Sequence, residues 1–183
     1  VVHLNADSEI EVRFDESRRN VRLLQGEAFF KVAQDPARPF TVATHAGTIE
    51  VLGTQFNVYE QMEDTRISVV DGKVRVSPAA GAAHLLGPGE EIILRRDGSA
   101  HKSEHANLDR ATAWRQRRLV FDNAPLEELV REFNRYNAVS RIELLGVAPG
   151  SHHYDGIFDA DDPASRAQLL MRENDLVVER HGQ

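Results

Sequence analysis

The chain has no cysteine. That absence excludes structural disulfides, zinc–thiolate sites and cysteine nucleophiles, and it selects no compartment. One Trp and three Tyr are thin provision for an aromatic-lined ligand site. No apolar run approaches the ~20 residues that a membrane-spanning helix needs, and no signal-peptide pattern is present. Basic residues are the minority, 22 against 29 acidic, for a net charge of −7. Nucleic acid is therefore disfavoured as a partner, because neutralising phosphates takes a basic surface. Also missing are a GxSxG elbow, a phosphate loop, an HExxH helix, a DxDxDG loop with its distal Glu, and the HxH cluster of a cupin-type metal barrel. The sequence gives no grounds for an enzyme, a metal or a cofactor.

What is present is a ladder of short strands. With 183 residues, 41% of them hydrophobic, the chain has room for one full domain or two small ones around a packed core. It opens on VVHLNADSEIEV, which reads at once as strand, turn, strand without an initiator Met, so we expect a piece of a longer protein. Strands are predicted at Val1–Leu4, Glu9–Phe14, Asn20–Leu24, Glu27–Val32, Phe40–Thr44, Thr48–Leu52 and Gly53–Tyr59, with Thr54, Phe56 and Val58 on one face. Pro36 and Pro39 keep a loop out of any ladder. Arg66–Val70 and Lys73–Val76 flank Asp71-Gly72, a hairpin signature. Leu85-Leu86 and Glu90–Leu94 flank Gly87-Pro88-Gly89 as a further strand pair. No helix-length amphipathic stretch interrupts this run, and no fixed repeat period is seen. Sandwich, barrel and short β-solenoid stay open.

Near residue 100 the pattern changes. Leu108–Gln116 has helical character and carries Trp114. Arg118–Phe121 reads as a strand, and Asp122 or Asn123 as the cap of a helix with Pro125 in its first turn. Leu126, Leu129, Val130 and Phe133 then fall at i, i+3, i+4 and i+7, one apolar stripe that is most simply core. Ser140–Leu144 and Tyr154–Phe158 read as strands. A second helix is predicted from Pro163, capped by Asp162, with Ala164, Ala167, Leu170 and Met171 inward, and a last strand at Leu176–Glu179. The order is β-α-β-β-α-β, a small two-layer unit. The fold class is thus mainly β with a small α+β module. Its expected domains are an all-β sandwich- or solenoid-like domain at 1–105, a linker helix at 106–117 and an α+β domain at 118–183.

Eight histidines invite a metal, but their spacing does not support one. His152 and His153 are adjacent and would face opposite ways on a strand. His101 and His105 have helical spacing without an apolar stripe. The cluster Asp155, Asp159, Asp161 and Asp162 lacks calcium-loop spacing. Arg115, Arg117 and Arg118 beside Trp114 read as a solvated helix face. A carbohydrate- or ligand-binding accessory β domain is the alternative function class, and it requires a concave pocket with exposed aromatics.

The chain resembles the periplasmic part of FecR-type transmembrane sigma-factor regulators. The resemblance rests on Leu24-Gln25-Gly26-Glu27-Ala28-Phe29-Phe30-Lys31-Val32, Arg38-Pro39-Phe40-Thr41-Val42 and Val51-Leu52-Gly53-Thr54-Gln55-Phe56-Asn57-Val58. It continues in Val69-Val70-Asp71-Gly72-Lys73-Val74-Arg75-Val76 and Leu86-Gly87-Pro88-Gly89-Glu90. The tail, through Leu119-Val120-Phe121-Asp122-Asn123-Ala124-Pro125-Leu126, Phe133-Asn134-Arg135-Tyr136 and Gly156-Ile157-Phe158, resembles the STN-like module. The family implies a periplasmic fragment of a single-pass inner-membrane protein. Its partner would be the N-terminal signalling domain of a TonB-dependent outer-membrane transporter, often for iron-siderophores. Periplasmic proteases would act on it, and an extracytoplasmic-function sigma factor would be reached only through a cytoplasmic domain outside this chain. Within the tail, docking is expected along a strand edge or apolar groove, with Leu119, Val120, Phe121, Ile157 and Phe158 as candidate contact residues.

Overall fold

A computed structural model describes residues 1–137 and 141–162. The chain divides into two compact units between Thr112 and Ala113.

The first unit is built on one long strand. β1 (Val2–Leu4) and β2 (Glu9–Phe14) lie along β3 (Arg19–Lys31), which has thirteen residues. β3 belongs to two half-sheets at once. Its first part, Arg19–Arg22, pairs with β2 on one side and runs parallel to β4 (Phe40–Ala43) on the other. Its second part, Gly26–Lys31, takes β1 on one side and β6 (Gln55–Glu60) on the other. Between the parts the alternation slips by one: Val21 and Leu23 face the core, then Ala28 and Phe30 do. A bulge absorbs the slip, since Glu9 pairs with Gln25 but Ile10 with Leu23. Gly26 sits at this corner with φ +83, and a Cβ there would lie 2.3 Å from Ser8 Oγ. Glycine is required on both counts.

The remaining strands are β5 (Gly47–Val51), β7 (Asp64–Asp71), β8 (Val74–Pro78), β9 (His84–Leu86), β10 (Glu91–Arg95) and β11 (Ala100–Ser103). The 11-stranded sheet runs β11-β10-β7-β6-β3-β4-β5-β8-β9. The chain lays two strands in one half-sheet, crosses over, and lays two in the other: β4-β5, then β6-β7, then β8-β9, then β10-β11. The curled sheet thereby closes over one core, to which Val42, Ile49, Phe56, Val58, Ile67, Val69, Val74, Val76, Leu86, Ile92 and Leu94 all contribute. Phe30 and Phe56 stack in it at 5.1 Å. This arrangement combines the face-to-face packing of a sandwich with the alternating crossings of a solenoid.

Two expectations are corrected here. Arg66–Val70 and Lys73–Val76 do not form a hairpin: β7 pairs with β6 and β10, whereas β8 pairs with β5 and β9. A type I′ turn needs positive φ at both central residues, and of the two only Gly72 has it, at +85. Asp71-Gly72 is instead a corner between half-sheets. A Cβ on Gly72 would lie 2.8 Å from the Gly53 carbonyl, and Thr54 Oγ1 donates to the Lys73 carbonyl at 2.9 Å. Likewise β9 and β10 flank Gly87-Pro88-Gly89 without pairing with each other. β11 falls in a stretch too polar to signal a strand. His101 lies on β11 and His105 beyond it, so the two share no helix face.

After β11, Asn107 accepts from the Arg110 N–H at 3.0 Å and starts α1 (Leu108–Thr112), which packs against β7. The second unit opens with a 3₁₀ turn, Ala113–Gln116, in which Trp114 is buried. β12 (Arg118–Pro125) and β13 (His153–Asp159) then form an antiparallel ribbon. α2 (Leu126–Arg135) packs on it, with Leu126, Leu129, Val130 and Phe133 buried as their spacing predicted. The predicted cap is corrected. Asp122 and Asn123 stay in β12, and Pro125 occupies the N-cap position in extended conformation. Asn123 has φ +46 at a bulge, its N–H donating to Asp155 Oδ1 at 2.6 Å. Residues 141–144 carry no strand. Instead Asn134 pins Ile142 with two bonds, donating to its carbonyl at 2.8 Å and accepting from its N–H at 2.7 Å. Pro163, Ala164, Ala167, Leu170, Met171, the strand at Leu176–Glu179 and Ser140 lie outside the described residues.

Candidate interaction site

In the first unit, the groups with most chemical potential are buried carboxylates. Glu27 lies on the face of β3 turned away from the main core and is 6% exposed. Its Oε2 accepts from Asn5 Nδ2 at 2.7 Å and its Oε1 from Asn57 Nδ2 at 2.8 Å. Its own N–H donates to Ser8 Oγ at 2.8 Å. One carboxylate thus ties the β1–β2 turn and β6 to the corner of β3. Glu60 does similar work at the end of β6. It accepts from Thr65 Oγ1 at 2.8 Å and from the His45 N–H at 3.1 Å, and it pairs with His45 Nδ1. An acceptor enclosed by amide or hydroxyl donors fixes strand register. Sequence reading missed both networks. Their only trace was a Glu beside an otherwise alternating strand pattern.

The same unit has a groove of about 600 Å³ across the outer faces of β2, β3, β4 and β5. Glu11, Arg13, Arg18, Arg22 and Glu50 give it mixed charge over a floor of Asn20, Thr41, Ala43 and Thr48. No aromatic residue lines it. It therefore lacks the stacking face that the carbohydrate-binding alternative requires. Among the described residues no His, Asp and Glu gather into a group that could hold a metal ion.

In the second unit, α2 and the ribbon enclose three phenylalanines. Phe121, Phe133 and Phe158 lie 5.7–5.9 Å apart, ring centre to ring centre, in tilted or edge-on pairs, the geometry that aromatic quadrupoles favour. Below them Arg117 grips Asp161 with two nitrogens and lies over the Tyr136 ring at 5.4 Å. The Asp161 carboxylate raises the Arg117 pKa further, so this cation is permanent.

The sequence model of the FecR protein family matches residues 1–75. A crystal structure of a candidate anti-sigma factor from Parabacteroides distasonis superposes with a TM-score of 0.84 at 27% identity, covering 99% of this chain and 86% of that one. A second crystal structure of a candidate anti-sigma factor from the same organism gives 0.77 at 30% identity, covering 93% and 79%. The chain belongs to the FecR family of anti-sigma regulators. No curated protein matches it.

A FecR-family signalling regulator works through surfaces that meet other proteins. The five residues singled out from sequence fall into two sets. Leu119 and Phe121 are buried and Phe158 is partly so, all three in the core beneath α2. Val120 and Ile157 face each other across the ribbon on its opposite side. Ile157 is 58% exposed and Val120 half-buried. The next rung is Arg118 opposite Asp159, both exposed. The FecR-family tail therefore presents one apolar rung bordered by charge. Among the described residues, no helix is long and apolar enough to cross a membrane.

Proposed function

We propose that this chain is the signal-receiving periplasmic region of a membrane-anchored sigma-factor regulator. In this reading residues 1–105 are the FecR-type scaffold, 106–117 a linker and 118–183 an STN-like receiving module. The module binds the N-terminal signalling domain of a TonB-dependent outer-membrane transporter. Iron-siderophore status then passes to an extracytoplasmic-function sigma factor held by a cytoplasmic domain, with periplasmic proteolysis as the relay. Family membership supports the regulatory role. The observation that supports the docking surface is the Val120–Ile157 rung, half-buried at Val120 and exposed at Ile157, because a small apolar patch rimmed by charge is the form of a protein contact. Leu119, Phe121 and Phe158 act in this reading as the core that holds the rung in place.

Calorimetric titration of the chain with the cognate transporter's signalling domain tests the proposal. Binding in the micromolar range is expected, weakened about tenfold or more by Ile157→Glu, as for a central contact residue. No binding at high micromolar concentration, with both partners folded, overturns it.

A further inference from the structure

β2 is an edge strand with an unusual code. Among the described residues it pairs only with β3. Five of its six residues are exposed, including the apolar Val12 at 53% and Phe14 at 58%. Edge strands normally carry protection against pairing, often a charge that would meet its own kind. Here the charges are Glu11 and Arg13, one on either side of Val12, and among the described residues their ion pair is with each other, at 3.3 Å, with Arg13 81% and Glu11 44% exposed.

A second copy brought up antiparallel, with Val12 opposite Val12, changes their meaning. Glu11 of each copy then faces Arg13 of the other, twice over, on the groove side of the sheet. Ile10 of each faces Phe14 of the other on the core side, flanking the Val12 pair. Side-chain parity is preserved in an antiparallel pairing, so from Ile10 to Phe14 every residue meets a complement on its own face, and one step further out at each end Glu9 faces Asp15. The parallel arrangement instead sets Glu11 against Glu11 and Arg13 against Arg13. The strand therefore favours one mode of self-pairing and opposes the stacking mode that leads to fibres.

We propose that the chain forms a two-fold symmetric dimer through antiparallel pairing of β2 with β2 of a second copy, centred on Val12. Two-fold symmetry satisfies a self-complementary patch with a closed assembly. A six-residue edge buries well below the roughly 800 Å² per partner of a standard stable interface, so the dimer is weak and concentration-dependent.

Sedimentation equilibrium on the whole chain, from micromolar to millimolar concentration, tests this. Wild type should dimerise. Glu11→Arg alone and Arg13→Glu alone should each weaken association about fivefold or more, because each puts two like-charged pairs across the axis. The double variant E11R/R13E should restore it. An equimolar mixture of the two single variants should form a heterodimer, since their charges are then fully complementary. Thermal melts verify that the exposed substitutions leave the fold intact. A chain that stays monomeric throughout overturns the proposal and leaves this edge to a strand of another protein. A dimer indifferent to the single reversals also overturns it, placing the interface elsewhere.

Discussion

The two units solve the same packing problem by opposite means. The first has eleven strands wrapped over one large apolar core, and it can enclose whole carboxylates such as Glu27 and Glu60 behind hydrogen-bond donors. The second, in its described part, has two strands and one full helix. Its described core gathers three phenylalanine rings among Leu119, Leu126, Leu129 and Val130. A two-stranded ribbon is not stable in water unless something packs on it, and among the described residues α2 and the 3₁₀ turn pack on β12. The lesson is a division of labour. A large sheet tolerates polar groups inside and uses them to fix register. The small two-layer unit keeps Arg117–Asp161 on the outside, and the charges it encloses among the described residues, Glu132 and Arg135, lie one turn apart on α2 itself rather than across strands.

The sharpest break in this comparison is Phe133→Ala. It removes the one ring that α2 contributes to the triad and should cost about 3–5 kcal/mol. Hydrogen exchange should show protection lost across β12, α2 and β13 while the first unit keeps its own. Next comes Glu27→Ala, which deletes the acceptor shared by Asn5 and Asn57 and should cost about 1–3 kcal/mol. Denaturant unfolding should place that loss in the first unit.

Acid gives a smaller and more diffuse effect. Lys102 and the Gly87 N–H hold the Glu90 carboxyl below its ordinary range. Ser17 does so for Asp15, Arg38 for Asp35 and Ser99 for Asp97. All four lie in the first unit. Each folded-state pKa is below its unfolded value, so the stabilisation is complete above the unfolded carboxylate range, about pH 4–5, and is lost as pH falls through the folded values. Asp15 and Asp97 are exposed, Asp35 and Glu90 are half-buried, and all four lie near solvent that screens them, so the loss is modest. Melts of the first unit between pH 6 and pH 3 should show it, and Glu90→Gln should flatten the slope. Smallest of all is Ile157→Ser, an exposed change expected to move stability by less than about 0.5 kcal/mol in a thermal melt. A larger cost would mean that the rung belongs to the core.

How much of this was legible in the sequence depended on range. The α2 stripe was read residue for residue, because i, i+3, i+4 spacing is a local property of one helix. The alternation Thr54, Phe56, Val58 was read for the same reason, and all three are buried. Pairing was not legible. Asp71-Gly72 carries a hairpin's local chemistry, yet the partners of β7 and β8 lie at other points in the chain, and the turn only redirects it. The helix start was misplaced because Asp122 and Asn123 look like caps, whereas β12 holds them in a bulge opposite Asp155. The five candidate contact residues all lie on the β12–β13 ribbon, but the sequence did not separate its two faces. Alternation distinguishes Val120 from Leu119 and Phe121, but only the position of α2 says which side is covered.

The strand order has a consequence for how the first unit is assembled. Read outward from β3, one arm runs β6, β7, β10, β11 and the other β4, β5, β8, β9. Each arm rises in chain order. A chain emerging from its N-terminus therefore never has to prise apart two strands to admit a third. Every new pair docks on an edge that already exists, first on one arm and then on the other, with β3 as the template for both. The core closes as a zip with two alternating rows of teeth, and its last teeth, β10 and β11, are set just before α1 begins.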